Sequence, residues 1–199
     1  YKVSVGGMKE SFDGFVLSMS EGLGLNKYAV QEFSATLNTM FDSMKFGEES
    51  SFEMSKGLTQ LAYDMSSFYN MDPDEAFNKL QAGITGETEG LKRLGIMIDE
   101  TTIKSYAYQN GIADQGAELT ENQKVLARYA AIMDQTQKSQ GDLARTIESP
   151  TNQMRIQLES IKEVAAGFGN VLLPVLADAL KPVKKLTDWL KGLDDGQKK

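Results

Sequence analysis

The stretch GETEGLKRLGI, residues 86–96, interrupts a chain whose other segments have helical periodicity. Gly86 is expected to end the preceding helix in the left-handed conformation, and Gly95 to end the short turn that follows. Glu87 and Glu89 fall at the start of that turn, where the helix dipole favours negative charge. The stretch therefore predicts a joint between helices.

Interactions typical of helix ends account for the other residues of this joint. Glu89 and Arg93, four residues apart, are predicted to form an ion pair. Ile96 is expected to fold back on Leu91 as the apolar contact of the C-terminal cap. The predicted joint comprises Gly86, Glu87, Thr88, Glu89, Leu91, Arg93, Gly95 and Ile96. Catalysis by Glu87 and Glu89 is disfavoured, because carboxylates two apart in a turn are poorly placed to flank a scissile bond.

On both sides of the joint, apolar residues recur three and four positions apart, which is typical of helices with one face in a core. The four stripes are Leu58, Leu61, Ala62, Met65 and Phe68; Val125, Leu126, Tyr129, Ile132 and Met133; Met154, Leu158, Ile161, Ala165 and Phe168; and Leu172, Leu176, Leu180, Val183, Leu186, Leu190 and Leu193. Helices are predicted near 8–21, 27–46, 48–70, 73–85, 101–110, 120–138, 149–168 and 171–192, with a short turn at 88–94. The fold class is all-α, a compact multi-helix domain of short helices with a longer amphipathic C-terminal helix.

Capping signals mark several of these boundaries. Asp72-Pro73-Asp74-Glu75 predicts a full capping box with proline at the first helical position. Thr120-Glu121-Asn122-Gln123 predicts a second capping box, and Ser149-Pro150 opens a later helix. Residues 95–98 are the only extended segment, too short to build a sheet.

Composition narrows the classes of function. The chain of 199 residues contains neither cysteine nor histidine. Their absence excludes disulfides, thiol nucleophiles, imidazole bases and nearly all common zinc and copper sites. Carboxylate, lysine, tyrosine and serine/threonine chemistry remain. Because no convincing pair of carboxylates is found, we predict no enzymatic activity and no catalytic, cofactor-binding or metal-binding residue. A formal net charge of −7 disfavours a specific nucleic-acid partner, because phosphate binding needs a basic face.

Four segments carry a family resemblance. They are LAYDMSSFYNMDPDEAFNKLQAGI (61–84), GITGETEGLKRLGIMIDETTIKSYAYQNGI (83–112), LTENQKVLARYAAIMDQT (119–136) and GDLARTIESPTNQMRIQLESIKEVAAGFGNVLLPVL (141–176). In this order and spacing they resemble the core of tail tape measure proteins of long-tailed bacteriophages and prophages, over about residues 58–180. The matching motif positions in the last segment are Asp142, Arg145, Thr146, Asn152, Gln153 and Pro174. Gly90 departs from the family, which often has proline there.

The resemblance implies a structural protein of the phage tail that acts in tail assembly, length determination and DNA ejection. It implies assembly in the host cytoplasm, residence in the virion tail, and no cofactor. The implied partners are tail tube proteins, tail-tip or baseplate proteins, tail assembly chaperones and further copies through helices. We expect a segment of a longer chain, with a helical lead-in (1–24), a tape-measure core (25–170) and an amphipathic C-terminal helix and tail (171–199).

Two alternatives remain at this stage. Residues 171–193 place lysines opposite a leucine face, a composition that suits an interfacial helix and membrane contact. This would make the chain a membrane-active protein that assists genome passage, although a terminal helix packed on a protein is the preferred interpretation. A muralytic enzyme domain is the less favoured alternative, since no convincing pair of acidic residues is found. The part of a tape measure protein that sets tail length, here called the ruler, needs to be one long helical rod. The frequent helix stops of this chain instead predict a folded module attached to the ruler.

Overall fold

The computed structural model describes residues 8–168, and this part of the chain is all-helical, which confirms the predicted fold class; 73% of it is helix and no strand occurs in it. The helices are α1 (Lys9–Leu23), α2 (Lys27–Ser43), α3 (Glu48–Phe68), α4 (Pro73–Thr85), α5 (Glu89–Lys92), α6 (Glu100–Gln109), α7 (Glu121–Gln135), α8 (Asp142–Thr146) and α9 (Pro150–Phe168). The predicted helix at 171–192 lies outside the described residues.

The chain divides into two compact units, residues 1–156 and residues 157–199. In the first unit, α3 is the central helix and packs against α1, α2, α4 and α8, while α6 packs against α7. Aromatic rings join these layers: Phe33 of α2 stacks on Phe77 of α4 with centroids 4.2 Å apart, and Phe12 of α1 lies 5.5 Å from Phe52 of α3. Phe12, Val16 and Met19 of α1 are therefore part of the same core.

Most predicted caps are present, with one correction. Asp72 accepts the backbone N–H of Asp74 at 2.9 Å, and Pro73 begins α4. The full capping box predicted there is wrong, because Glu75 pairs with Lys79 at 3.1 Å. Thr120 and Gln123 form the predicted reciprocal box at the start of α7.

Two predicted core stripes need correction. Leu58, Leu61, Ala62 and Met65 of α3 are buried, but Phe68 at its end is 46% exposed. The stripe on α9 is wrong as a core face: Met154 is 67% exposed in the first unit. In the second unit, of which the structure describes residues 157–168, Leu158 is 54% and Ile161 42% exposed. Helical periodicity identifies an apolar face without saying what covers it.

Across residues 8–168, no helix is both long enough and apolar enough to span a membrane.

Candidate functional site

The first half of the joint is a C-terminal cap at the end of α4. Gly86 has φ 110°, in the left-handed region, as predicted. The N–H of Glu87 donates to the carbonyl of Ala82 at 2.8 Å, and the N–H of Gly86 donates to that of Gly83 at 3.2 Å. These two bonds are the hydrogen-bond pair of a Schellman motif, which satisfies the last carbonyls of a helix.

The second half repeats this arrangement at the end of α5. Gly95 has φ 82°, and the N–H of Ile96 donates to the carbonyl of Leu91 at 3.1 Å. Both side chains are buried, Leu91 at 0% and Ile96 at 1% exposure, which places the predicted pair in the core. The extended residues that follow are held by α7, because the side-chain amide of Gln135 bonds both the N–H (2.7 Å) and the carbonyl (2.8 Å) of Met97.

The ion pair predicted within the joint is wrong. Glu89 lies 3.6 Å from Lys92, three residues on, and Arg93 is exposed to solvent. Arg93 is the C-cap of α5 and its N–H donates to the carbonyl of Glu89 at 3.3 Å, so the backbone has the predicted spacing, but the carboxylate of Glu89 pairs with the nearer lysine. Thr88 precedes α5 without a capping hydrogen bond from its side chain.

Gly95 offers a test of the joint's backbone. A Cβ added there meets no atom within 4 Å, so a side chain is opposed only by the positive φ. Replacing Gly95 with valine is expected to destabilise the domain by about 1–3 kcal/mol, measured by urea denaturation. Gly14→Val in α1 is the matched control, because its added Cβ also meets open space and its φ is helical. Equal stability of the two variants would contradict the left-handed cap.

The resemblance motif at 141–153 folds into a polar cluster on the end of α3. The hydroxyl of Ser67 donates to Asp142 Oδ2 at 2.7 Å and lies 3.0 Å from Thr146 Oγ1. Asn152, which is 3% exposed, donates through Nδ2 to Ser67 Oγ at 3.0 Å and to Thr146 Oγ1 at 2.9 Å. Three predicted motif positions therefore converge on one serine that lies 75 to 85 residues earlier in the chain.

A buried carboxylate lies one turn further back on α3. Asp64 is 4% exposed and accepts the N–H groups of Gly141 at 2.8 Å and Leu143 at 3.2 Å. Burial raises the pKa of Asp64; the two N–H bonds lower that pKa, the negative charge of Asp142 raises it, and Arg145 lowers it. Asp64 thus anchors the start of α8, where the free backbone N–H groups favour an anion.

The remaining motif residues fix neighbouring backbone. Arg145 donates to the carbonyls of Gln140 at 2.7 Å and Lys138 at 3.3 Å, and pairs with Asp142 at 3.6 Å. Gln153 donates to the carbonyl of Ile147 at 2.9 Å. Pro174 lies outside the described residues.

Sequence reasoning missed Asp64, Ser67 and the helix α8. Asp64 does carry a signal, because it sits between Leu61 and Met65 on the predicted apolar face of α3. A charged residue in such a position is rarely buried unless it is paired.

An open depression next to the joint gathers acidic side chains. It has a volume of about 510 Å³ and is lined by Asp72, Glu75, Glu87 and Glu89, with Lys79 beside them. Three of these acids have local partners: Asp72 caps α4, Glu75 pairs with Lys79 and Glu89 with Lys92. Within the described part of the chain, no group of acidic side chains has the geometry to hold a metal ion.

No protein-family model, curated protein or solved structure matches this chain.

Proposed function

We propose that the chain is a folded helical module of a phage tail tape measure protein, with a structural role in tail assembly. The observation that supports the proposal is the convergence of the motif residues Asp142, Thr146 and Asn152 on Ser67. The resemblance to the family rests on separate segments of sequence. Two of those segments, 61–84 and 141–176, contribute the two halves of one hydrogen-bonded cluster.

The module acts beside the ruler and is not the ruler itself. A ruler is a continuous rod that gains about 1.5 Å per helical residue. The longest described helix, α3, has 21 residues and is therefore about 32 Å long. The chain reverses between helices at caps such as Gly86 and Gly95, so its length does not translate into tail length. Its proposed tasks are assembly initiation, anchoring at a tail end, and ejection of DNA.

The proposed partners are tail tube proteins, tail-tip or baseplate proteins, tail assembly chaperones and further copies of the chain. The exposed apolar residues Leu158 and Ile161 support association through helices, because they lie three residues apart on one face of α9. We place the protein in the virion tail after assembly in the host cytoplasm. We also keep the proposal that residues 171–193, which lie outside the described residues, contact a membrane.

A structural role is also consistent with the chemistry of the joint. Asp72, Glu75 and Glu89 are each engaged in a cap or ion pair. These contacts give the acids a role in fold stability, so we propose no muralytic activity for them.

In-frame deletions in the phage test this proposal. Deletions within 73–168 are expected to give misassembled tails or non-infectious particles, because residues 76–143 of this range supply much of a packed core. Equal deletions in flanking helical sequence of the longer protein are the control and are expected to shorten the tail by about 1.5 Å per residue. Electron microscopy of tails and plaque counts measure both effects. Infectious particles with proportionately shorter tails after deletions in 73–168 would identify this region as part of the rod.

A further inference from the structure

A second cavity lies between the joint, α6 and α7, within the first unit. Its volume is about 450 Å³, within the range of about 300–1,000 Å³ typical of ligand sites. Ile98, Ile103 and Leu119, which are all buried, give it an apolar floor. Six of its eleven lining residues are charged, so a small apolar floor is bordered by polar groups that can fix the orientation of a ligand.

Five of the six charged side chains that line this cavity either form an ion pair or cap the start of a helix. Lys104 pairs with Glu100 at 3.2 Å and with Glu118 at 3.7 Å. Lys124 pairs with Glu121 at 2.7 Å. Asp99 caps α6 by accepting the N–H of Thr102 at 2.8 Å.

Arg128 of α7 is the exception. Its Nη1 donates to the carbonyl of Ile84 at 3.2 Å, at the end of α4, where the helix dipole favours a cation. Its Nε is buried and has no acceptor, and none of the described residues forms an ion pair with it. Burial lowers the pKa of Arg128, and Glu121 raises it to a smaller extent.

The absence of a side chain at Gly86 leaves space for the guanidinium of Arg128. A Cβ added at Gly86 would lie 3.2 Å from Nη2 of Arg128. The cavity therefore holds the partly buried guanidinium of Arg128, of whose N–H donors one bonds the carbonyl of Ile84. Pairing with an anion would engage these donors and offset the cost of the partly buried charge.

We propose that this cavity binds a single carboxylate carried on a short apolar stem. The guanidinium of Arg128 donates to the carboxylate in the bidentate manner that arginine favours, and Ile98, Ile103 and Leu119 contact the stem. Asp99, Glu100 and Glu118 line the same cavity and disfavour a multiply charged anion such as phosphate. The carboxylate is either a small organic acid or a glutamate side chain of a protein. The site is independent of the proposed role in the phage tail.

Nuclear magnetic resonance of the arginine Nε–Hε groups tests the proposal on the purified chain. Pentanoate, up to about 10 mM, is expected to shift the Arg128 signal in a saturable way, while inorganic phosphate at equal ionic strength does not. A capped peptide with one glutamate between leucines forms the second arm. Tighter binding of the peptide assigns the site to a protein carboxylate, and tighter binding of pentanoate assigns it to a small acid.

Matched variants separate the site from general charge effects. Arg128→Lys keeps the charge but loses the planar fork, and is expected to weaken binding at least about 10-fold. Because this variant lacks the arginine signal, binding to the variants is followed by the backbone amide signals of Gly86 and Ile103, which line the cavity. Arg93→Lys, at an exposed arginine of the joint, is expected to leave binding unchanged. Absence of a saturable shift with both probes, or equal weakening by both variants, overturns the proposal.

Discussion

Replacing Leu91 with alanine is expected to lower the free energy of unfolding by about 2–5 kcal/mol. Leu91 is fully buried, and it is the residue by which the short helix α5 enters the core. Its removal costs the transfer free energy of the lost atoms and leaves a cavity next to α4. Urea denaturation followed by circular dichroism measures the change. Leu17→Ala is the control, because Leu17 is 53% exposed and its loss is expected to change stability by about 0.5 kcal/mol or less.

Gly83 turns this prediction into a test of packing geometry. A Cβ added at Gly83 would overlap Cδ1 of Leu91 and lie 3.1 Å from its Cγ. Gly83→Ala alone is expected to destabilise by about 1–3 kcal/mol through overpacking, less the gain of about 1 kcal/mol that alanine brings to a helix interior.

The double variant is expected to be more stable than the sum of the single changes, because the new methyl group occupies part of the space that Leu91 leaves. The coupling should be about 1 kcal/mol or more. Strict additivity of the two changes would show that Leu91 does not pack against Gly83.

Replacing Asp64 with alanine is the second large effect. The change leaves the N–H groups of Gly141 and Leu143 without their acceptor, and each such loss costs about 1–3 kcal/mol. Removal of a buried charge offsets part of this, so we expect a net destabilisation of about 2–4 kcal/mol. Thermal and urea unfolding measure it. Asp114→Ala is the control, since Asp114 is exposed and contributes only its backbone carbonyl to a turn.

The difference in stability between the unsubstituted protein and Asp64→Ala is expected to depend on pH in a defined direction. The pKa of Asp64 is raised in the folded state, so folded protein binds this proton more tightly than unfolded protein. The contribution of Asp64 to stability is therefore greatest below the ordinary aspartate pKa of about 3.9 and falls as pH rises through the folded pKa. The penalty of Asp64→Ala, taken as the difference from the natural sequence at each pH, should grow as the solution is acidified. A penalty that shrinks on acidification would contradict the raised pKa.

Local signals in the sequence were sufficient to predict where α4 begins and ends. Pro73 and Gly86 delimit α4 at the predicted residues, because proline at the first position and glycine after the last act within a few residues of chain. The joint was predictable for the same reason, although α5 (Glu89–Lys92) is shorter than the turn predicted at 88–94. These features need no knowledge of tertiary contacts.

The polar cluster could not be predicted in this way. Ser67 and Asn152 are 85 residues apart, and no periodic pattern relates them. The helix α8 has only five residues and depends on Asp64 for the N–H groups at its start. The exposure of Met154 was missed because periodicity shows which residues share a face, and packing decides whether that face is covered.

The position of Asp64 in the chain also sets an order of events during protein synthesis. Leu143, which supplies one of its two N–H donors, lies 79 residues later. At about 5–20 residues per second, the ribosome needs about 4–16 s to reach it. During that interval the segment from α4 to α7 is synthesised, and the carboxylate of Asp64 has only water as a hydrogen-bond donor in place of Gly141 and Leu143. The C-terminal end of α3 is therefore completed only after the segment from α4 to α7 has been synthesised.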